Sequence, residues 1–152
     1  MLSIVKKLRE VKEEVETERG RIVLFALLER ADSSGKLDVI FSAPWIKRGQ
    51  SERPALDYLI GKIRPKLSPR ELIAVSRVIV FSPDEEFVRH ALDLLRERGN
   101  PPRLANDSIN GMLITTADII AADPDYWVSP PDWDAEAMQK KTAEELEAKA
   151  SS

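Results

Sequence analysis

A run of seven consecutive apolar residues, Ile22 to Leu28, constrains the fold of this chain more than any other feature. A helix or strand with one wet face needs polar residues at a period of 3.6 or 2, and this run has none, so both of its sides must be covered. Its shortness, and the turn chemistry of Asp32-Ser33-Ser34-Gly35 just after it, fit a strand enclosed between two layers. Leu37, Val39, Phe41 and Ala43 then alternate with Asp38, Ile40 and Ser42, which predicts a second strand and a β-hairpin near the N-terminus. Pro44 has no N–H for a ladder and ends that strand or leaves it at an edge.

Helices fill the intervals. Ile4, Leu8, Val11 and Val15 follow one another at helical steps and form one apolar stripe over about Leu2 to Thr17, closed by Gly20. Ala55, Leu56, Leu59, Ile60 and Ile63 make an apolar arc over Glu52 to Ile63. Ser68-Pro69-Arg70-Glu71 and Ser82-Pro83-Asp84-Glu85 both have the capping-box pattern, and each predicts a helix beginning at its serine. Between them Val78-Ile79-Val80-Phe81 reads as a short apolar strand, and the helix opened at Ser82 is expected to run to about Arg98. Asn110-Gly111 predicts a second hairpin, joining Leu104–Ser108 to Met112–Ile120.

These elements predict an α/β or α+β domain over residues 1–122, with a mixed sheet of four to five strands packed by helices. Residues 123–152 change character: Asp123-Pro124-Asp125 and Ser129-Pro130-Pro131-Asp132 punctuate the chain, and an Ala-, Glu- and Lys-rich stretch predicts a terminal helix in an acidic tail.

Composition excludes several chemistries. With no cysteine there is no thiolate nucleophile and no cysteine-ligated metal, and His90 alone cannot build an HExxH site. No glycine-rich phosphate cradle occurs, and neither Ser42 nor Ser76 lies in a nucleophile elbow. No cofactor is expected. Asp38 and Lys47 would suit a two-metal nuclease site, yet Trp45 occupies the position two before Lys47 where an acid would be needed. Asp118, Asp123 and Asp125 could share a magnesium ion, but Asp-Pro-Asp is ordinary turn chemistry. His90 falls at the rim of a helix's apolar arc, a packing position rather than a catalytic one. No apolar run approaches the length of a membrane span and no leader pattern opens the chain, which together predict a cytoplasmic protein without membrane contact.

The formal charge of −3 conceals a polarity: residues 47–77 carry eight basic and three acidic groups, whereas 118–152 carry three basic and nine acidic. Trp45 beside Lys47 and Arg48, with Trp127 and Trp133 in a Pro-rich segment, are aromatics and cations that a partner could grip. Together with the Ile4, Leu8, Val11, Val15 stripe, they are the candidate partner-binding residues. No residue is assigned to catalysis or to a metal. The expectation is a non-catalytic protein-interaction domain, self-associating as a homodimer or acting as an adaptor. The alternatives are a metal-dependent phosphoester hydrolase and a nucleic-acid-binding module using the basic 47–77 segment.

Overall fold

The computed structural model describes residues 2–32 and 35–128, and within these the chain runs α1 (Leu2–Arg19), β1 (Leu24–Arg30), β2 (Leu37–Ser42), α2 (Glu52–Ile63), α3 (Pro69–Ala74), β3 (Val75–Phe81), α4 (Glu86–Glu97), β4 (Arg103–Ile109) and β5 (Met112–Ala122). The strands form one mixed sheet in the order β3-β2-β1-β5-β4, an α+β architecture with helices on both faces. The predicted terminal helix and Trp133 lie outside the described residues.

The uninterrupted apolar run is explained by β1, which occupies the middle of the sheet. Phe25 and Leu27 enter the core shared with α1 and α2, while Leu24, Ala26 and Leu28 enter the opposite core under α4. All five are at most 2% exposed. The strand itself starts at Leu24, with Ile22 and Val23 buried just ahead of it. On α1, the stripe of Ile4, Leu8, Val11 and Val15 is at most 2% exposed and packs on the first of these cores.

The β1–β2 hairpin pairs antiparallel, with Glu29 opposite Leu37 at its tip. From β2 the chain crosses through α2 and α3 and returns as β3, parallel to β2 and on the outer edge. A buried carboxylate ties these three strands together: Asp38, 2% exposed, accepts from Arg30 Nε at 2.8 Å and from an Arg77 guanidinium nitrogen at 2.8 Å. At the far edge, the β4–β5 turn has Asn110 and Gly111 at φ 49° and 82°. Two successive positive φ angles are what a two-residue hairpin of the type I′ kind demands.

The two capping patterns behave differently. At Ser68 the box is complete: Ser68 Oγ accepts from the Glu71 N–H at 3.2 Å, and Glu71 Oε1 accepts from the Ser68 N–H at 2.8 Å. At Ser82 the helix does not start. Ser82 is buried directly behind β3, its hydroxyl donates to Asp84 Oδ1 at 2.5 Å, and its carbonyl accepts from the Glu85 N–H at 3.1 Å. The serine therefore closes a turn, and α4 begins at Glu86 with no side-chain cap.

Candidate functional site

The open side of β3 has an unusual chemistry for a sheet edge. Val75, Val78, Ile79, Val80 and Phe81 are each only partly buried, and no charge follows Arg77 before the strand ends. No residue of β3 has a positive φ, and its pairing with β2 is unbroken from Arg77 to Phe81, the register shift falling at Ser76 between Val75 and Arg77. Beside it lies a groove of about 250 Å³ floored by Ile60 and Ile63 of α2, Leu72 of α3, and Val75 and Val78, with Arg64 and Arg77 at its rim. Ile73 on α3 is 81% exposed. Natural proteins blunt exposed edges with charges, prolines or backbone irregularities, because unpaired N–H and C=O groups template another strand.

The opposite edge has such protection. On β4, Asn106 takes a left-handed conformation at φ 54°, and pairing is found at Ala105↔Thr116 and Asp107↔Ile114 but not at Asn106. Arg103 and Asp107 place charge on that strand, Asp107 held by Arg98 at 2.6 Å. The two edges of one sheet thus differ in where they are protected: β4 is interrupted at its middle residue, Asn106, whereas the charge and register shift of β3 lie toward its amino end and Val78–Phe81 runs apolar and unbroken.

A second concavity, of about 240 Å³, opens where β2 and β3 end side by side. The chain leaves β2 toward the α1/α2 face and β3 toward the α4 face, and such divergence leaves a crevice beyond the strand ends. Lys47, Arg48, Ser82, Asp84, Tyr126 and Trp127 line it. Arg48 reaches Asp84 and Glu85, each at 3.6 Å. The Ser82 hydroxyl and, further off, the Arg48 charge hold the Asp84 carboxyl below its usual range. A carboxylate so stabilised is a poor base, and Ser82 is only 1% exposed, so this pair fixes the turn and presents no nucleophile.

The structure gathers Lys47, Arg48 and Trp127 at this crevice and disperses the other candidates. Trp127 Nε1 donates to the Pro83 carbonyl at 3.0 Å, and Arg89 stands over its ring at 4.6 Å. Trp45 lies between Phe41 and Tyr58 with the Arg19 guanidinium 3.9 Å above it. Ile4, Leu8, Val11 and Val15 are enclosed in the chain's own core and present no surface.

The basic 47–77 segment is largely met by acids of its own chain. Glu10, Glu14 and Glu18 form a stripe on α1 that faces Lys66 and Lys62, with Glu14–Lys66 at 2.5 Å and Glu18–Lys62 at 2.6 Å. Glu18 also accepts from the Tyr58 hydroxyl at 2.7 Å, and burial together with that carboxylate pushes the phenol up to about 12. The carboxylates considered for metal binding do not converge. Asp38 is held by two arginines, Asp118 faces Arg103 at 3.6 Å, and Asp123 accepts from Arg21 Nε at 2.9 Å. Among the described residues no group of three or more His, Asp or Glu side chains could hold a metal ion. His90 Nδ1 accepts from the Asn110 N–H at 2.7 Å, so its lone pair fastens the β4–β5 turn to α4. No helix among the described residues is long and apolar enough to cross a membrane.

Reasoning from the sequence missed β3 as an edge. Ser76 and Arg77, placed just before the apolar run, were the available signal, because an enclosed strand seldom carries both. Comparison with known protein families, with curated proteins and with solved structures finds no match to this chain.

Proposed function

We propose that this chain is a non-catalytic protein-interaction domain in which the β3 edge accepts an added β-strand, from a second copy in a homodimer or from another protein in an adaptor role. The observation that carries the reading is the contrast between Val78–Phe81, apolar and paired to β2 without a register shift at the β3 edge, and β4, charged and interrupted at Asn106. Strand addition needs two things: main-chain groups free along an edge, and pockets for alternate side chains of the incoming strand. β3 offers the first, and the groove between Ile63, Leu72 and Val78 offers the second. Among the described residues no three or more His, Asp or Glu side chains converge to hold a metal ion, so nothing there supports the metal-dependent hydrolase alternative. The internal pairing of Lys62, Lys66 and Arg77 does the same for nucleic acid.

The test uses a synthetic peptide of alternating Val and Glu as a generic strand, its valines suited to the groove and its glutamates to Arg64 and Arg77. Amide NMR shifts should move along β3 and the facing residues of α2 and α3, and a Val78→Lys, Val80→Lys variant should abolish the change. Shifts confined to β4, or none at β3 at millimolar peptide, would refute the reading.

A further inference from the structure

We infer that the strand added to β3 is β3 of a second copy, antiparallel to the first about a two-fold axis near Ile79. The inference rests on the edge-acceptor reading and deepens it by naming the partner and its direction.

Charge along the edge supplies the argument. The amino end of β3 is cationic through Arg64, on the groove rim, which has no ion-pair partner among the described residues. The carboxyl end leads directly into Asp84, Glu85 and Glu86. Asp84 is 52% exposed and joined to Arg48 only at 3.6 Å, so its charge is available to the solvent side. A second copy running antiparallel brings its acidic end to this copy's basic end, and the two-fold axis repeats that match. A parallel copy would set cation against cation and acid against acid, an arrangement that costs binding.

The sequence of the strand is also compatible with its own reverse. With the axis at Ile79, Val78 faces Val80 of the second copy and Arg77 faces Phe81, so β-branched residues meet directly and no like charges are opposed. Arg77 keeps its own counter-charge in Asp38. The result is a single sheet continuing from one copy into the next, which leaves only the guarded β4 edges at its two ends.

The chain contains no cysteine, so single introduced ones report the register. Facing residues in an antiparallel pair lie about 4.5–5.5 Å apart at Cα, within reach of a disulfide. Full-length Ile79→Cys should form a covalent dimer on mild oxidation, whereas Ser76→Cys, three places from the axis, should not. In sedimentation, wild type should associate, and salt should weaken the association. Arg64→Glu and the Asp84→Lys, Glu85→Lys pair should each raise the dimer dissociation constant about tenfold or more, since like charges are then juxtaposed. An equimolar mixture of the two variants should recover association, because each then supplies the end that the other needs. Circular dichroism checks that every variant folds.

Crosslinking through Ser76→Cys with none through Ile79→Cys would overturn the axis at Ile79, and equal crosslinking through both would overturn the antiparallel orientation. A wild type that stays monomeric at high concentration while the alternating peptide still binds β3 would overturn the second copy and keep the edge-acceptor reading. Failure of both would sink the two together.

Discussion

Replacing Asp38 with Asn removes the one carboxylate that holds Arg30 and Arg77 to each other across three strands. Asp38 is 2% exposed, and the Arg30 and Arg77 side chains are 18% and 44% exposed. Breaking a buried ion pair by deleting one partner typically costs about 3–5 kcal/mol, because the other charge is left without compensation. Arg77 can turn toward water and Arg30 keeps Asp32 at 3.3 Å, so the expected loss here is at the lower end, about 2–4 kcal/mol. Asn keeps the size and can still accept one hydrogen bond, which isolates the charge from the packing. Urea denaturation measures the loss as a shift of midpoint at constant slope. Because Asp38 is what fastens Arg77, the amides of β3 should also exchange faster in the variant than those of β5. A loss below about 0.5 kcal/mol, the usual effect of a surface substitution, would refute the idea that this carboxylate organises the β1–β2–β3 side of the sheet.

Three further outcomes follow from named contacts. Glu71 is bound by Lys7 at 2.7 Å, by Ser3 and by the Ser68 N–H, which together hold its carboxyl down to about 2 from an ordinary 4.5. The unfolded chain then takes up this proton first as pH falls, so the stabilisation is complete above pH 4.5 and drains away toward pH 2; acid titration of Glu71→Gln should lack that component. Leu8→Ala should destabilise by about 2–5 kcal/mol, equally at low and high protein concentration, because the residue is enclosed in its own core and not at an interface. His90→Ala should cost only about 0.5–1.5 kcal/mol while speeding hydrogen exchange at Asn110, whose N–H then lacks its acceptor.

The sequence was most informative where local chemistry decides the outcome. Ile22–Leu28 announced a strand enclosed on both faces because no polar residue interrupts it, and Asn110-Gly111 announced its turn because few dipeptides accept two positive φ angles. Ser68 and Ser82 show the limit: the same four-residue pattern caps a helix when the serine is exposed and closes a turn when the serine is buried at a strand end. Strand order was less legible, since Val78–Phe81 has the same composition whether it lies at the centre or at the edge. Only the parallel return through α2 and α3 places it outside. The basic middle misled for a similar reason, as the acids that neutralise Lys62 and Lys66 lie far away in sequence on α1. Of the residues picked as partner contacts, Lys47 and Arg48 leave the end of β2 and meet Trp127, which arrives from beyond β5 and is fastened to the Pro83 carbonyl after β3.

The most direct test of the central claim is amide hydrogen exchange along β3, measured on the full chain with β4 as an internal reference. Adding the alternating Val and Glu peptide, or raising the protein concentration, should protect alternate amides of β3 and leave those of β4 unchanged. Equal exchange at β3 under all of these conditions, or new protection at β4 in its place, would contradict it.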